Sequence, residues 1–326
     1  MNTSTKLVVI GGGTGSFTLL SKLKNHFAHI SVLVNMADDG GSTGILRDEL
    51  GALPPGDVRQ CLVALAREPR VRDLFNYRFD EGSLAGHSFG NLFLSAVEKM
   101  THDFGEAVEL ASEILDISGR VIPITLDNVT LVRDDAKGRE SRGQHRLDNE
   151  VVNLPDLRLD PMPTLNAAAD QAIAEADLIV IAPGNLYGSL APVLLVPGIA
   201  KALAVAKAKK AYVCNLVTKP GHTQGFSVAD FAAEIERFLD NKVKLDYVLY
   251  NNAKPNDELL QKYSRKGEFW VAYDKKDFVG KQYKAIGGHF VLDTPWQPTA
   301  KKDLLVRTLI RHNAERIARK LGDLSK

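Results

Sequence analysis

Asp38 and Asp39 open a run of small residues, DDGGSTG (38–44), and Asp57 closes LPPGD a little further on. Two adjacent carboxylates followed by glycines and the hydroxyls of Ser42 and Thr43 suit one of two jobs. They can grip a divalent cation such as Mg2+ against a phosphate, or take a proton from an acceptor. Arg47, in the same stretch, adds a cation for an anionic ligand. Ahead of them stands GGGTG, with Gly11, Gly12, Gly13, Thr14 and Gly15 in succession. Glycines there tolerate φ > 0 and let the backbone approach a ligand, and a helix opening at Thr14 would aim unpaired N–H groups at it. The combination reads as a phosphate or pyrophosphate seat. Gly11, Gly13 and Ser16 meet the G-x-G-x-x-G spacing only with serine in the last place, and Asn35 ends the second strand where a ribose-binding acid is expected. The dinucleotide fingerprint is incomplete.

Several elements must hold these residues. Lys6–Ile10 has the β-branched, uncharged character of a strand buried on both faces, and Thr14–Leu23 resumes at helical spacing with Phe17, Leu20 and Leu23 on one side. Ile30–Val34 reads as the second strand. Ser42 or Thr43 is expected to cap a short helix, and Asp57 to cap another that turns Val58, Cys61, Leu62 and Leu65 inward. Arg59 falls in the first turn of that helix, where a cation opposes the dipole and asks for an anionic partner, either Asp57 or a ligand phosphate. Helices over Val71–Phe79, Leu92–Met100 and Phe104–Leu115 complete an inserted helical layer at about 57–116. His87 and Asn91, near two glycines at a helix start, offer a second anion seat.

Val121–Thr125 and Val129–Arg133 read as short strands, with Asp134–Gly143 a charged turn leading to Gln144–Asn149. A βα rhythm follows: helix Leu165–Glu175, strand Leu178–Ala182, helix Ala191–Lys207, strand Ala211–Leu216, helix Val228–Leu239 and strand Tyr247–Tyr250. Alternation of this kind implies a parallel sheet with right-handed crossovers, whose strand-end loops meet at the carboxyl edge. Three of those loops are rich in small and polar residues: Pro183–Ser189, Asn215–Thr223 and Asn251–Pro255. Asn185, Tyr187, Asn215 and Thr218 are their contact candidates. Residues 264–300 read as a small irregular β segment, and Lys301–Leu321 as a closing helix with Leu305, Leu309, Ile310, Ile317 and Leu321 inward. The expected fold class is α/β, a Rossmann-like parallel sheet with an inserted helical layer and a small β segment near the C-terminus, all in one domain over residues 1–326.

Composition narrows the function classes. With 326 residues, 44% of them hydrophobic, the chain can bury a sizeable core. A net charge of +1 gives no global reason to expect nucleic acid. The basic stretch Lys301–Lys326 reads as a solvated helix face. Cys61 and Cys214 stand far apart beside apolar neighbours and read as buried thiols, which suits a cytoplasmic protein. Leu178–Ile199, the most apolar stretch, is broken by Pro183, Gly184, Gly188, Pro192 and Pro197, so no membrane role is expected. A small-molecule nucleotide is the expected partner, and a homo-oligomer, a dimer, the expected assembly.

Taken together, GGGTG (11–15), DDGGSTGILR (38–47), PPGDVRQCL (54–62), GHSFGNLFL (86–94), APGNLYGS (182–189) and PGHT (220–223) resemble one family. It is the family that unites the 2-phospho-L-lactate transferases of deazaflavin coenzyme synthesis (CofD) with the gluconeogenesis factors (YvcK), and the likeness runs nearly the full length. The resemblance implies a Rossmann-like fold. Its transferase branch implies magnesium-dependent transfer of a phospholactyl group from a nucleotide donor, with Asp38, Asp39 or Asp57 holding metal or acting as base. Its other branch implies binding of a uridine diphosphate (UDP) sugar and a role in carbon metabolism and cell shape; apart from the resemblance, another nucleotide ligand such as NAD stays open. IRHNAERIA (310–318) is similar to that branch's ending, and by this match Arg311 contacts the nucleotide sugar. The pyrophosphate is then expected on Gly12–Gly15, and the base or sugar on Asn185, Asn215 and Arg311. The sequence departs from the pattern at Gln144, Asn185, Gly188, His222 and Asn313–Ala314.

Overall fold

Leu7, Val8, Val9 and Ile10 are all but fully buried, because the strand they form lies in the middle of a sheet covered on both faces. In the computed structural model, which describes residues 4–134, 139–150, 156–293 and 309–325, this strand is β1 (Lys6–Ile10). After it come α1 (Gly13–Leu23), β2 (His29–Val34), α2 (Gly41–Leu50), α3 (Pro55–Leu65), α4 (Pro69–Asn76), α5 (Phe89–Thr101) and α6 (Phe104–Ile114). Next are β3 (Arg120–Pro123), β4 (Thr130–Asp134), β5 (Glu140–Arg142), α7 (Gln144–Leu147), β6 (Asp156–Asp160) and α8 (Ala167–Glu175). The remainder is β7 (Leu178–Ile181), α9 (Ala191–Leu194), α10 (Ile199–Val205), β8 (Lys209–Val213), α11 (Val228–Phe238), β9 (Tyr247–Asn251), α12 (Asp257–Ser264), β10 (Lys284–Gly288) and α13 (Ala314–Leu324).

Seven strands form one parallel sheet in the order β10-β9-β8-β7-β1-β2-β3. The chain runs outward from β1 through β2 to β3, then returns to the other side of β1 and runs outward again from β7 to β10. The order therefore reverses between β1 and β7. At such a switch point the loops after the two strands part, leaving a crevice at the carboxyl edge. β4, β5 and β6 make a separate antiparallel sheet, and α3–α6 form the layer without strands expected between β2 and β3.

Several boundaries differ from the sequence reading. β10 pairs in parallel with β9 and is the edge strand of the main sheet; its KAIGG sequence lacks the apolar run by which buried strands are recognised. β6, with the alternating DLRLD pattern of a half-exposed strand, and α12 were not anticipated. β5 lies inside the expected charged turn, of which 135–138 fall outside the described residues. α4 stops at Asn76, short of Phe79. The expected helix Ala191–Lys207 is broken into α9 and α10 at Gly198, whose φ of +99° is left-handed. The closing helix starts only at Ala314. Ile317 and Leu321 are buried as expected, Ile310 packs before the helix with Leu216, Tyr263 and Val291, and Leu305 lies outside the described residues. Cys61 and Cys214 are free and buried. Among the described residues no single helix is long and apolar enough to cross a membrane.

Candidate functional site

The glycine turn after β1 is built on three different needs. Gly13, at φ +70°, adopts a backbone that other residues rarely take. Gly15 lets the turn press against the loop after β7: a Cβ there would lie 2.0 Å from the Pro183 carbonyl oxygen. Gly12 is extended and faces Asp57, whose Oδ2 would stand 2.2 Å from a Cβ at that position. The space in front of Gly12 is thus filled by a carboxylate of the same chain. Ser16, in the third-glycine place, is fully buried, and its Oγ lies where a Cβ on Gly11 would come within 2.5 Å. α1 opens at Gly13 with no side-chain cap from Gly12; the Gly13 N–H is taken by Asp57, and Thr14 and Gly15 after it line the crevice, where a helix N-terminus favours an anion.

Asp57 does not cap α3. Pro54 takes that place and Pro55 the first helical position, where a fixed φ and a missing N–H cost nothing. One turn into the helix, the Asp57 side chain points across to the glycine turn. It is buried, which pushes its pKa up to about 7, helped by the negative charge of Asp38. Hydrogen bonds from the Asn35 side chain and the Gly13 N–H, and the charge of Arg59, pull the other way. Asn35, found where a ribose-binding acid was expected, therefore serves the acid on α3. The Asp38 pKa is raised by burial and by Asp39, against hydrogen bonds from the Gly40 N–H and Thr43 and the charge of Arg47. Asp38 Oδ2 would lie 2.9 Å from a Cβ on Gly56, so Asp38 and Asp57 flank the start of α3 together.

Asp39 goes elsewhere. Its Oδ1 accepts the His145 N–H at 2.7 Å, fastening α7 to the loop after β2. Arg47 ties that loop to the segment before β4: its guanidinium donates to the carbonyls of Asp38 and Val129 and to Asn128 Oδ1. Ser42 and Thr43 lie within α2, which is capped by Gly40 instead; a glycine at the start left the hydroxyls free to face inward. Ser42 Oγ is 3.0 Å from His87 Nδ1 and accepts from Asn91 Nδ2. Asn91 Oδ1 in turn accepts from Arg59 Nε at 2.9 Å, and Asn76 Oδ1 from Arg59 Nη1. His87 and Asn91 therefore belong to a buried polar network joining α2, α3 and α5. Ser88 caps α5.

A cavity of about 310 Å³ lies at the switch point. Gly12–Gly15 and Thr18 form one wall, Gly184, Asn185 and Ser189 another, and Asn215–Val217 with Ile310–His312 close it. Asn185 Nδ2 donates to Asp148 Oδ1 at 2.6 Å and Asn215 Nδ2 to the Gly184 carbonyl at 2.8 Å. Asp148 also pairs with Lys219 at 2.7 Å. Arg311 is buried at the cavity wall. Tyr187 and Thr218 do not line it. Tyr187 packs against Phe238 and His222, and Thr218 Oγ1 accepts the Phe269 N–H. Thr18, Ser189, Asn35 and His312 were missed. His312 stands next to Arg311 in IRHNAERIA, the segment whose resemblance points to Arg311 alone.

A parallel sheet with a glycine turn, a helix N-terminus and a cavity at its switch point defines a Rossmann-like α/β protein. The comparisons narrow the class. The model of the family "2-phospho-L-lactate transferase CofD" matches residues 7–291, and the chain belongs to that family. It is 38% identical over 333 residues to the gluconeogenesis factor of Bacillus subtilis, with the whole of both chains covered. A relative from Nostoc sp. is 45% identical over 276 residues, and there this chain spans 60% of the relative's length. A crystal structure of a UPF0052-family protein from Bacillus halodurans superposes with a TM-score of 0.88 at 33% identity, covering 98% of this chain and 99% of that one.

Proposed function

We propose that this chain is a gluconeogenesis factor that binds a UDP-sugar in the switch-point cavity and acts through that ligand on carbon metabolism and cell shape. The observation that carries the reading is the cavity itself, which has the N-terminus of α1 and its glycine turn on one side and Arg311 on another. Both favour an anion, as a diphosphate requires. The relatives named as gluconeogenesis factors support the role in carbon metabolism. The protein acts in the cytoplasm as a homodimer, which native mass spectrometry would test along with any retained nucleotide. Calorimetry with UDP-sugars and NAD tests the ligand. Heat with a UDP-sugar and weaker heat with NAD is expected, and no heat with any UDP-sugar would end the reading.

A second reading rests on Asp57, a buried acid with a pKa near 7 beside Asp38. Magnesium commonly takes one or two carboxylates and completes its shell with phosphate oxygens. The Asp38–Asp57 pair fits that demand, and Asp39, engaged with α7, is not needed for it. When bound there, the cation would offset charge on a leaving phosphate. Asp57 has a pKa suited to taking a proton from an acceptor hydroxyl at neutral pH. Transfer of a phospholactyl group to a deazaflavin acceptor is the assay, and its absence with guanylyl and uridylyl donors would leave only the binding role.

A further inference from the structure

His312 lines the cavity beside Arg311, and its Nε2 lies 3.0 Å from the carbonyl oxygen of Cys214, just beyond β8. A carbonyl oxygen only accepts, so Nε2 must carry the ring proton. Desolvation pushes the His312 pKa down to about 4, so at neutral pH the ring holds that proton alone. Nδ1 is then a bare acceptor, and no group among the described residues donates to it. Leu216, Val217 and Ile310 supply apolar wall nearby, which suits a flat ring. Once such a ring excludes water, an acceptor without a donor is costly, and the ligand must supply the donor.

We infer that His312 is a specificity-determining residue of this cleft: its Nδ1 accepts a hydrogen bond from a ring N–H of the bound base. Uracil carries that N–H at N3. Cytosine presents a lone pair at the same place, and two facing acceptors repel. The inference rests on the nucleotide reading of the cavity and adds the reason for uracil over cytosine.

The test is calorimetry with UDP, CDP and N3-methyl-UDP on the wild-type chain, His312→Phe and His312→Gln, with thermal melts to establish folding. Phenylalanine keeps a flat ring without an acceptor, and glutamine restores an acceptor. Wild type should prefer UDP over both analogues by about tenfold or more. In His312→Phe the preference should shrink to within about twofold, and His312→Gln should recover part of it. A folded His312→Phe that keeps the preference, or loses UDP and CDP affinity equally, overturns the inference and leaves the nucleotide reading standing. Wild type that binds neither UDP nor CDP brings down the nucleotide reading, and the inference with it, before any variant is made.

Discussion

The carboxylate of Asp57 occupies the space a side chain at residue 12 would need, since a Cβ on Gly12 would lie 2.2 Å from Oδ2 and 3.1 Å from the Asp57 Cβ. Neither atom can retreat easily, because the carboxylate is held by Asn35 and the Gly13 N–H. Gly12→Ala should therefore cost about 1–3 kcal/mol of stability, the usual range for overpacking, and Gly12→Val more. In an Asp57→Ala background the same Gly12→Ala change should cost less. Chemical denaturation of the four variants checks this, and equal costs in both backgrounds would show that the two residues do not compete.

Asp57 also makes stability depend on pH in a direction opposite to that of most acids. Its folded pKa, about 7, is raised above the ordinary aspartate value of 3.8, so the folded chain binds the extra proton between those values. The contribution is fully present below about pH 4 and is lost as pH rises through about 7. Asp57→Asn cannot ionise, so the mutant should gain stability relative to wild type as pH rises across that window. Melting temperatures of both proteins from pH 4 to 8 give the measurement, and a constant difference would contradict it.

The two neighbouring acids should part company in magnesium. Asp38→Asn is expected to weaken nucleotide binding in magnesium and to leave it equal or tighter in a chelator, where one negative charge near the diphosphate has gone. Asp39→Asn keeps an acceptor for the His145 N–H and should change little in either condition. Calorimetry in both buffers decides, and tighter binding of Asp38→Asn in both would remove the metal role.

Asn91 links Arg59 to Ser42, accepting from one and donating to the other. Asn91→Leu should cost about 2–3 kcal/mol, the scale for depriving a buried charged donor of an acceptor. Arg59→Met with Asn91→Leu should cost less than the sum of the single changes. Urea melts of the cycle measure the coupling, and additivity would show that the bond contributes nothing.

The sequence by itself determined the α/β class, the first two strands, the glycine turn, the helical layer and the three polar strand-end loops. These follow from local periodicity and from φ demands that a short window contains. The cavity-lining Asn185 and Asn215 were also legible, since strand-end loops of a parallel sheet must meet, and Arg311 was reached only through the resemblance of IRHNAERIA to the family's ending. Tertiary structure alone decided which acids keep company. Asp38 and Asp39 are adjacent in the chain, yet Asp38 turns to Asp57 and Asp39 to α7, because adjacent side chains on a loop diverge and their partners are distant in sequence. Capping was misread at Asp57 for a related reason: Pro54 and Pro55 had already started the helix, which left the acid free to cross to Gly12. β10 gained its place by pairing with β9, a non-local match that KAIGG does not announce. The tautomer of His312 depends on a carbonyl nearly a hundred residues away, and only folding brings that oxygen to the ring.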